Sequence, residues 1–250
     1  PLSGVGVVVL DKDGTLLDFN ATWLPGLRDV ARHVAESVGE PALAPALLAT
    51  GGYVEDGGAA GGGPGVSAGS IMLEGTNDEL AEAWIAQHAA VARRWAEAPR
   101  ALAAEMADVL RAASARDATP LTPRTRAGLE ALRAGGVRLA VVTNDDEEIA
   151  LAQLRQLGWV DLFDAIIGQD SGHGAKPGPG GVAAAIAASG GDAAHAIMVG
   201  DSATDLASGR AAGCAYTVAI VPSDKSTPEE LATADFRVAA PEELVAMLGL

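Results

Sequence analysis

The sequence predicts an α/β protein with a parallel sheet, and three observations carry this prediction. Short apolar runs rich in β-branched residues alternate with helical patterns over residues 120–250, as in parallel sheets whose strands are joined by crossover helices. A separate apolar run at residues 5–10 must join the same sheet from the other end of the chain. Residues 20–118 show helical periodicity instead, which indicates a helical domain inserted into the α/β core.

The predicted elements of the core follow one another in regular order. Strands are predicted over residues 5–10, 137–143, 165–167, 196–199, 216–221 and 236–238. Helices are predicted over residues 124–134, 147–157, 178–188, 204–212 and 242–248. Right-handed crossovers would then place helices on both faces of the sheet. These patterns divide the chain into a core domain, residues 1–19 and 119–250, and an inserted domain, residues 20–118.

The inserted domain is predicted to be helical on both sides of a glycine-rich stretch. Helices are expected over residues 23–38, 78–98 and 101–113. Trp84 and Trp95 lie on an apolar stripe at near-helical spacing, so we expect them in the interior of this domain rather than on a substrate platform. Residues 51–69 are rich in glycine, which predicts a mobile loop.

Two carboxylates separated by one residue, Asp11 and Asp13, come directly after the first strand and before Gly14. Ligand sites in open α/β sheets lie at the carboxyl ends of the strands. This pair suits a nucleophile beside an acid/base, and it also suits a hard cation that prefers oxygen ligands. The ends of later strands should therefore supply the rest of the site.

Polar residues do follow the later strands, and a lysine lies in a turn between two of them. These residues are Thr143, Asn144, Lys176, Asp201 and Asp205. Together they provide a hydroxyl, an ammonium group and further carboxylates. That inventory fits Mg²⁺-assisted phosphoryl transfer to an aspartate.

In order and spacing, these motifs resemble those of the haloacid dehalogenase superfamily of hydrolases, above all its phosphatase branch, which includes phosphoglycolate phosphatases. The motifs are DKDGT at 11–15, Thr143-Asn144, Lys176-Pro177 and GDSATD at 200–205. The resemblance covers residues 5–19 and about 120–250. It implies a Rossmann-like parallel sheet core with an α-helical cap inserted after the first motif. Lys12 departs from the apolar residue common in phosphoglycolate phosphatases, while the aspartate at position 13 argues against dehalogenation.

The resemblance also implies a role for each motif residue. Asp11 would attack phosphorus to form an aspartyl-phosphate, and Asp13 would protonate the leaving alkoxide and then activate water. Phosphate would be bound by Gly14, Thr143, Asn144 and Lys176. Magnesium would be held by the side chains of Asp11 and Asp201, the main-chain carbonyl of Asp13, and Asp205 directly or through water. Thr143, Asn144 and Ser202 could also be helix N-caps.

The expected activity is hydrolysis of a small phosphorylated metabolite, a phosphomonoester of the phosphoglycolate or sugar phosphate type. One alternative is a phosphomutase acting on a sugar phosphate, which would need an acid/base in the cap, where His88 is the candidate. A second alternative is a non-catalytic phosphate-binding regulator, against which the complete set of acids argues.

Composition restricts the partners and the setting. The net charge of −16 argues against nucleic acid and anionic membrane surfaces as partners. No apolar stretch approaches the roughly 20 residues that cross a bilayer. The single cysteine, Cys214, has no partner in the chain for a disulfide, which fits a cytoplasmic location. The sequence does not indicate an oligomeric state.

Overall fold

The computed structural model describes residues 2, 4–56, 64–67, 69–74, 76–222 and 228–250. The chain forms two compact units. The core unit contains Pro1–Phe19 and Ala118–Leu250, and the helical unit contains Asn20–Asp117. Among the described residues, no helix combines the length and the apolar character needed to cross a membrane.

The strands and helices are numbered in chain order. The strands are β1 (Val7–Leu10), β2 (Tyr53–Val54), β3 (Gly65–Val66), β4 (Arg138–Val142), β5 (Ala165–Ile167), β6 (Ala196–Gly200), β7 (Tyr216–Ile220) and β8 (Phe236–Val238). The helices are α1 (Phe19–Ser37), α2 (Ala44–Gly51), α3 (Ile71–Glu74), α4 (Asn77–Gln87), α5 (Ala89–Trp95), α6 (Pro99–Asp117), α7 (Thr125–Ala134), α8 (Glu147–Gln156), α9 (Gly180–Ala188), α10 (Ala203–Ala211) and α11 (Glu243–Leu248).

The core unit contains a parallel sheet of six strands in the order β5-β4-β1-β6-β7-β8. In the centre, Leu10 of β1 lies opposite Val141 of β4 and Val199 of β6, so these three strands end at the same level. The predicted α/β fold with a parallel sheet is therefore confirmed. The topology brings the carboxyl ends of β1, β4 and β6, which three of the four motifs follow, to one edge of the sheet.

The uniformly apolar sequence of β1 reflects burial on both faces of the sheet. Val8 and Leu10 belong to the core on one face, whereas Val7 and Val9 belong to the core on the other. All four side chains are fully buried. Parallel strands covered by helices on both sides lack the polar positions that would give an alternating pattern.

The helical unit differs from prediction in its central part. The glycine-rich residues 51–69 were expected to be a loop, but α2 extends to Gly51, and β2 pairs with β3 as a small antiparallel hairpin. The loop prediction is therefore wrong at both ends of this segment, while residues 57–63 and 68 lie outside the described part of the chain. Two-residue strands are too short to produce a recognisable alternation.

Residues 78–98 were predicted to form one helix, but the structure has two, α4 and α5. His88 separates α4 from α5 because its backbone is extended, with φ −126° and ψ 106°. Trp84 and Trp95 are buried, as predicted, and the Trp84 indole N–H donates to the Leu47 carbonyl at 2.9 Å. The stripe of apolar residues thus identified the buried face but not the break in the backbone.

Candidate active site

The site begins where β1 ends. The Asp11 amide still donates to the Val199 carbonyl at 2.9 Å, so sheet pairing continues one residue beyond β1. The chain then turns sharply, and the carbonyl of Lys12 accepts hydrogen bonds from the amides of Leu16 (2.8 Å) and Leu17 (2.9 Å). This turn directs the side chains of residues 11–13 from a rigid backbone at the carboxyl edge of the sheet.

Lys176 pairs with two of the predicted site carboxylates. Its ammonium donates to Asp11 Oδ1 and, at 2.6 Å, to Asp205 Oδ1, and all three side chains are buried. Burial by itself would lower the pKa of Lys176, but the two carboxylates outweigh it and raise that pKa above its ordinary value. The lysine therefore stays charged beside the predicted nucleophile.

Asn144 holds Lys176 in this position. Its side-chain carbonyl accepts from the Lys176 amide at 2.8 Å, and its side-chain amide donates to the Lys176 carbonyl at 3.1 Å. The Asn144 side chain is thus used to fix the lysine backbone, which leaves the main chain as the part of this residue suited to phosphate.

Thr143 and Asn144 were also considered as helix N-caps, and this interpretation is wrong. The N-cap of α8 is Asp146, two residues further along. The buried Thr143 hydroxyl instead accepts a hydrogen bond from the Asp145 amide at 3.1 Å. Residues 143–146 form a bent connection between β4 and α8, so Thr143 and Asn144 lie too early in the chain to cap the helix.

Asp205 has a structural role besides its contact with Lys176. Ser202 is the N-cap of α10 and forms a capping box with Asp205, as predicted for Ser202. Asp205 Oδ2 accepts from the Ser202 hydroxyl at 2.6 Å and from the Ser202 amide at 3.0 Å. One carboxylate oxygen therefore begins the helix while the other faces Lys176.

Asp11, Asp201 and Asp205 offer oxygen atoms that all lie within 4.8 Å of one another. Three carboxylates at this separation match the hard oxygen donors that Mg²⁺ prefers. The same crowding has an electrostatic cost. Burial, with Asp205 and Asp201 adding to it and Lys176 opposing it, raises the pKa of Asp11 well above its ordinary value.

Asp201 lies against the turn that carries Gly14. Asp201 is exposed as a whole residue, but the protein atoms crowded around its carboxyl group, followed by the charge of Asp205, raise its pKa to about 7. A Cβ atom at Gly14, where φ is +76°, would lie only 1.9 Å from Asp201 Oδ2. The absence of a side chain at position 14 is therefore what allows the first and fourth motifs to approach each other.

A second group of charges surrounds Lys12. Its buried ammonium lies 2.5 Å from Asp13 Oδ2 and 2.7 Å from Asp145 Oδ2. Burial and the neighbouring Asp145, opposed by Lys12, raise the pKa of Asp13 to about 6. Asp145 was not predicted as a site residue. The available signal was its place, with Thr143, at the carboxyl end of β4.

The sheet and the side chains at its carboxyl edge indicate one kind of chemistry. A parallel sheet with a buried aspartate after its central strand, a lysine on that aspartate and two further acids nearby is suited to transfer of a group to the aspartate. A family model described as haloacid dehalogenase-like hydrolase matches residues 5–213. The chain belongs to this family of hydrolases.

Similar proteins include curated enzymes and solved structures. A phosphoglycolate phosphatase from Chromobacterium violaceum is 32% identical over 215 residues, which cover 86% of this chain and 84% of that enzyme. Phosphoglycolate phosphatase from Neisseria meningitidis is 45% identical over 92 residues, 37% of this chain but only 39% of the relative. A crystal structure named as a predicted phosphoglycolate phosphatase from Haemophilus somnus has a TM-score of 0.67 and 19% identity, covering 99% of each chain, and shows the shared fold.

Proposed function

We propose that this chain is a Mg²⁺-dependent phosphatase that hydrolyses a small phosphomonoester through an aspartyl-phosphate. The observation that carries the proposal is the group formed by Asp11, Lys176 and the acids Asp201 and Asp205 at one edge of the sheet. The relatives named as phosphoglycolate phosphatases support the same chemistry. Their name makes phosphoglycolate the first substrate to test, followed by sugar phosphates.

Asp11 is the proposed nucleophile because it is buried, fixed by its own backbone and contacted by a charged lysine. Lys176 would neutralise charge on the phosphoryl oxygens as Asp11 attacks. The main-chain amides near Gly14 and Asn144, with the Thr143 hydroxyl, are proposed to orient the phosphate. Asp13 would give its proton to the leaving oxygen and later accept one from water.

The oxygens of Asp11, Asp201 and Asp205 are proposed to hold Mg²⁺, with the main-chain carbonyl of Asp13 as a further ligand. When bound, the cation would supply positive charge to the phosphoryl group and favour ionised carboxylates. Bound Mg²⁺ would counteract the raised pKa values of Asp11 and Asp201, because the acids of this group lie close to one another. The proposed metal and the lysine together offset the repulsion between a strongly acidic chain and an anionic substrate.

The helical unit is proposed to act as the cap that selects the substrate, and the cytoplasm is the proposed location. The phosphomutase alternative needs an acid/base in this unit, and the candidate was His88. Its Nε2 instead lies 2.8 Å from the Thr50 hydroxyl, so the ring is engaged within the helical unit. Hydrolysis is the better supported activity.

The test is phosphate release from a panel of small phosphomonoesters, including phosphoglycolate and sugar phosphates, with Mg²⁺ and with EDTA. We expect release that requires Mg²⁺ and is concentrated on one or a few substrates. Isomerisation of a sugar phosphate without phosphate release would select the mutase instead. Tight phosphate binding without turnover would select the regulator.

Asp11→Asn tests the nucleophile. A neutral amide is a poor nucleophile, so we expect turnover to fall by at least about four orders of magnitude with the fold intact. Asp161→Asn is the matched control, because it makes the same change of charge at an exposed residue of the core unit. Turnover by Asp11→Asn near the wild-type rate would refute the nucleophile assignment.

A further inference from the structure

Lys12 is an unusual residue to find in the floor of a site. Its side chain is fully buried, and its ammonium contacts two carboxylates, those of Asp13 and Asp145. Withdrawing an ammonium group from water is strongly unfavourable unless partners compensate it. An apolar residue would fill the same volume without that cost. The buried charge therefore calls for an explanation beyond packing.

Lys12 and Asp145 are held in place by backbone hydrogen bonds as well as by their charges. The Lys12 carbonyl accepts two amides of the following turn, from Leu16 and Leu17. The Asp145 amide donates to the Thr143 hydroxyl at 3.1 Å, and its carbonyl accepts from the Gln169 amide at 3.0 Å. Lys12 and Asp145 thus project from two rigid turns at the ends of β1 and β4.

We propose that Lys12 and Asp145 are positioning residues that hold the carboxyl group of Asp13 where it protonates the leaving oxygen. This inference rests on the proposed phosphatase function. Lys12 contacts Oδ2 of Asp13 and so restricts rotation of that carboxyl group. Asp145 supplies the second negative charge that keeps the buried ammonium in place, and its carboxyl group also interacts directly with that of Asp13.

The affected step is formation of the aspartyl-phosphate. A bond forms between an Asp11 oxygen and phosphorus while the bond from phosphorus to the leaving oxygen breaks, and the Asp13 proton moves to that oxygen. An alkoxide leaves poorly without this proton, whereas a nitrophenolate is stable as an anion and leaves without it. Misplacing Asp13 must therefore slow alkyl phosphates much more than activated aryl phosphates.

The experiment compares kcat/KM for p-nitrophenyl phosphate with kcat/KM for the alkyl phosphate that the wild-type protein hydrolyses best. The value of kcat/KM reports the steps up to and including the first irreversible one, here loss of the leaving group. For Lys12→Met we expect a loss of roughly ten- to hundredfold on the alkyl phosphate, mainly in kcat, and of less than about threefold on the aryl phosphate. Lys12→Arg keeps the charge and should recover part of the alkyl rate. Equal losses on both substrates would overturn the proposal.

Asp145→Asn and Asp146→Asn form a matched pair of neighbouring substitutions. Asp146 accepts a hydrogen bond from Gln169 at 3.2 Å, while Asp145 contacts Lys12. We expect the loss selective for alkyl phosphates only in Asp145→Asn. Similar losses in both variants, or none in Asp145→Asn, would show that Asp145 does not position Asp13.

A double variant separates positioning from stability. Lys12→Met/Asp145→Leu replaces the buried lysine and its Asp145 partner by apolar side chains. It should therefore fold even if Lys12→Met does not, because the single variant leaves the Asp145 carboxylate without its ammonium partner. We expect its melting temperature to lie within a few degrees of the wild-type value, and its activity to fall selectively on alkyl phosphates. Full alkyl activity in this variant would overturn the inference. A wild-type protein that releases no phosphate from either substrate would instead refute the proposed function.

Discussion

Gly14, in the first motif, lies in close contact with Asp201, in the fourth motif, although the two are almost 190 positions apart in the sequence. Its φ of +76° is costly for residues with a Cβ, and a Cβ there would overlap the Asp201 carboxyl group. The position therefore combines a strained conformation with a close approach. The approach, rather than the turn, is what connects this glycine to the acids of the site.

We expect Gly14→Ala to lower the free energy of unfolding by at least roughly 1–3 kcal/mol and to abolish Mg²⁺-dependent phosphate release. Urea unfolding followed by circular dichroism measures the first effect, and the phosphate assay measures the second. Gly136→Ala is the control. Its φ is +84°, but among the described atoms nothing lies within 4 Å of an added Cβ. An equal loss of activity in both variants would contradict the role given to Asp201.

Cys214 offers a test of burial in the core unit by a pH dependence. Burial raises the pKa of its thiol to about 11. Since only the thiolate reacts, and since about one thiol in a thousand is ionised at pH 8, alkylation by iodoacetamide should be slow in the native protein.

The expected rate rises about tenfold for each pH unit between 8 and 10. At pH 8 it should be roughly a hundredfold below the rate in urea, where the thiol regains its ordinary pKa. Mass spectrometry of samples quenched over time gives both rates. Native and urea-treated proteins that react equally fast at pH 8 would show that the thiol is not shielded.

At the scale of elements, the site depends on the first turn of α10. Ser202 and Asp205 begin this helix with a capping box, and the same Asp205 carboxyl group faces Lys176 and the acid group. Asp205 therefore both helps to begin α10 and serves as a candidate metal ligand. The helical unit contains a comparable box at the start of α4, formed by Thr76 and Glu79, away from any proposed ligand.

We expect Ser202→Ala to lower the free energy of unfolding by about 1 kcal/mol, because an alanine cannot cap the helix. The same change removes one of the donors that orient Asp205, so Mg²⁺ binding should weaken by roughly tenfold. Urea unfolding and calorimetric titration with Mg²⁺ measure the two effects. Thr76→Ala should cost similar stability and leave Mg²⁺ affinity unchanged. If both variants bind Mg²⁺ like the wild type, Asp205 is not held by its cap.

At the scale of the whole molecule, the chain leaves and re-enters the core unit at neighbouring points. The Asp18 amide donates to the Thr119 carbonyl at 2.9 Å, just before Asn20 and just after Asp117. All the residues of the candidate site lie in the core unit. The sheet and its acids should therefore form without the helical unit.

We expect a variant in which residues 20–117 are replaced by a linker of about six glycine and serine residues to unfold cooperatively. Its melting temperature should rise on addition of Mg²⁺, and substitution of Asp201 by Asn should remove that rise. Phosphate release should lose its preference among substrates, since the proposed cap is absent. Thermal melts with and without Mg²⁺ provide the measurement. A broad, non-cooperative melt would show that the core unit depends on the inserted helices.

Much of the fold and most of the site can be predicted from local patterns. The apolar strands of the core and the motifs that follow them are continuous in sequence, and their limits agree with the structure to within about two residues. Because carboxyl ends of parallel strands meet at one edge, Asp11, Thr143 and Asp201 had to lie near one another once the strand order was known. Family membership followed from the same motifs.

Local sequence patterns were enough to predict the parallel α/β fold, the inserted helices and the motif residues, because each depends on neighbours along the chain. The pairing of side chains, by contrast, depends on how the folded chain packs. Lys12 meets Asp145, and Asn144 holds Lys176, through contacts between turns that are distant in sequence. The hairpin of β2 and β3 is decided in the same way. Such partners depend on packing geometry across the sheet, which no local periodicity records.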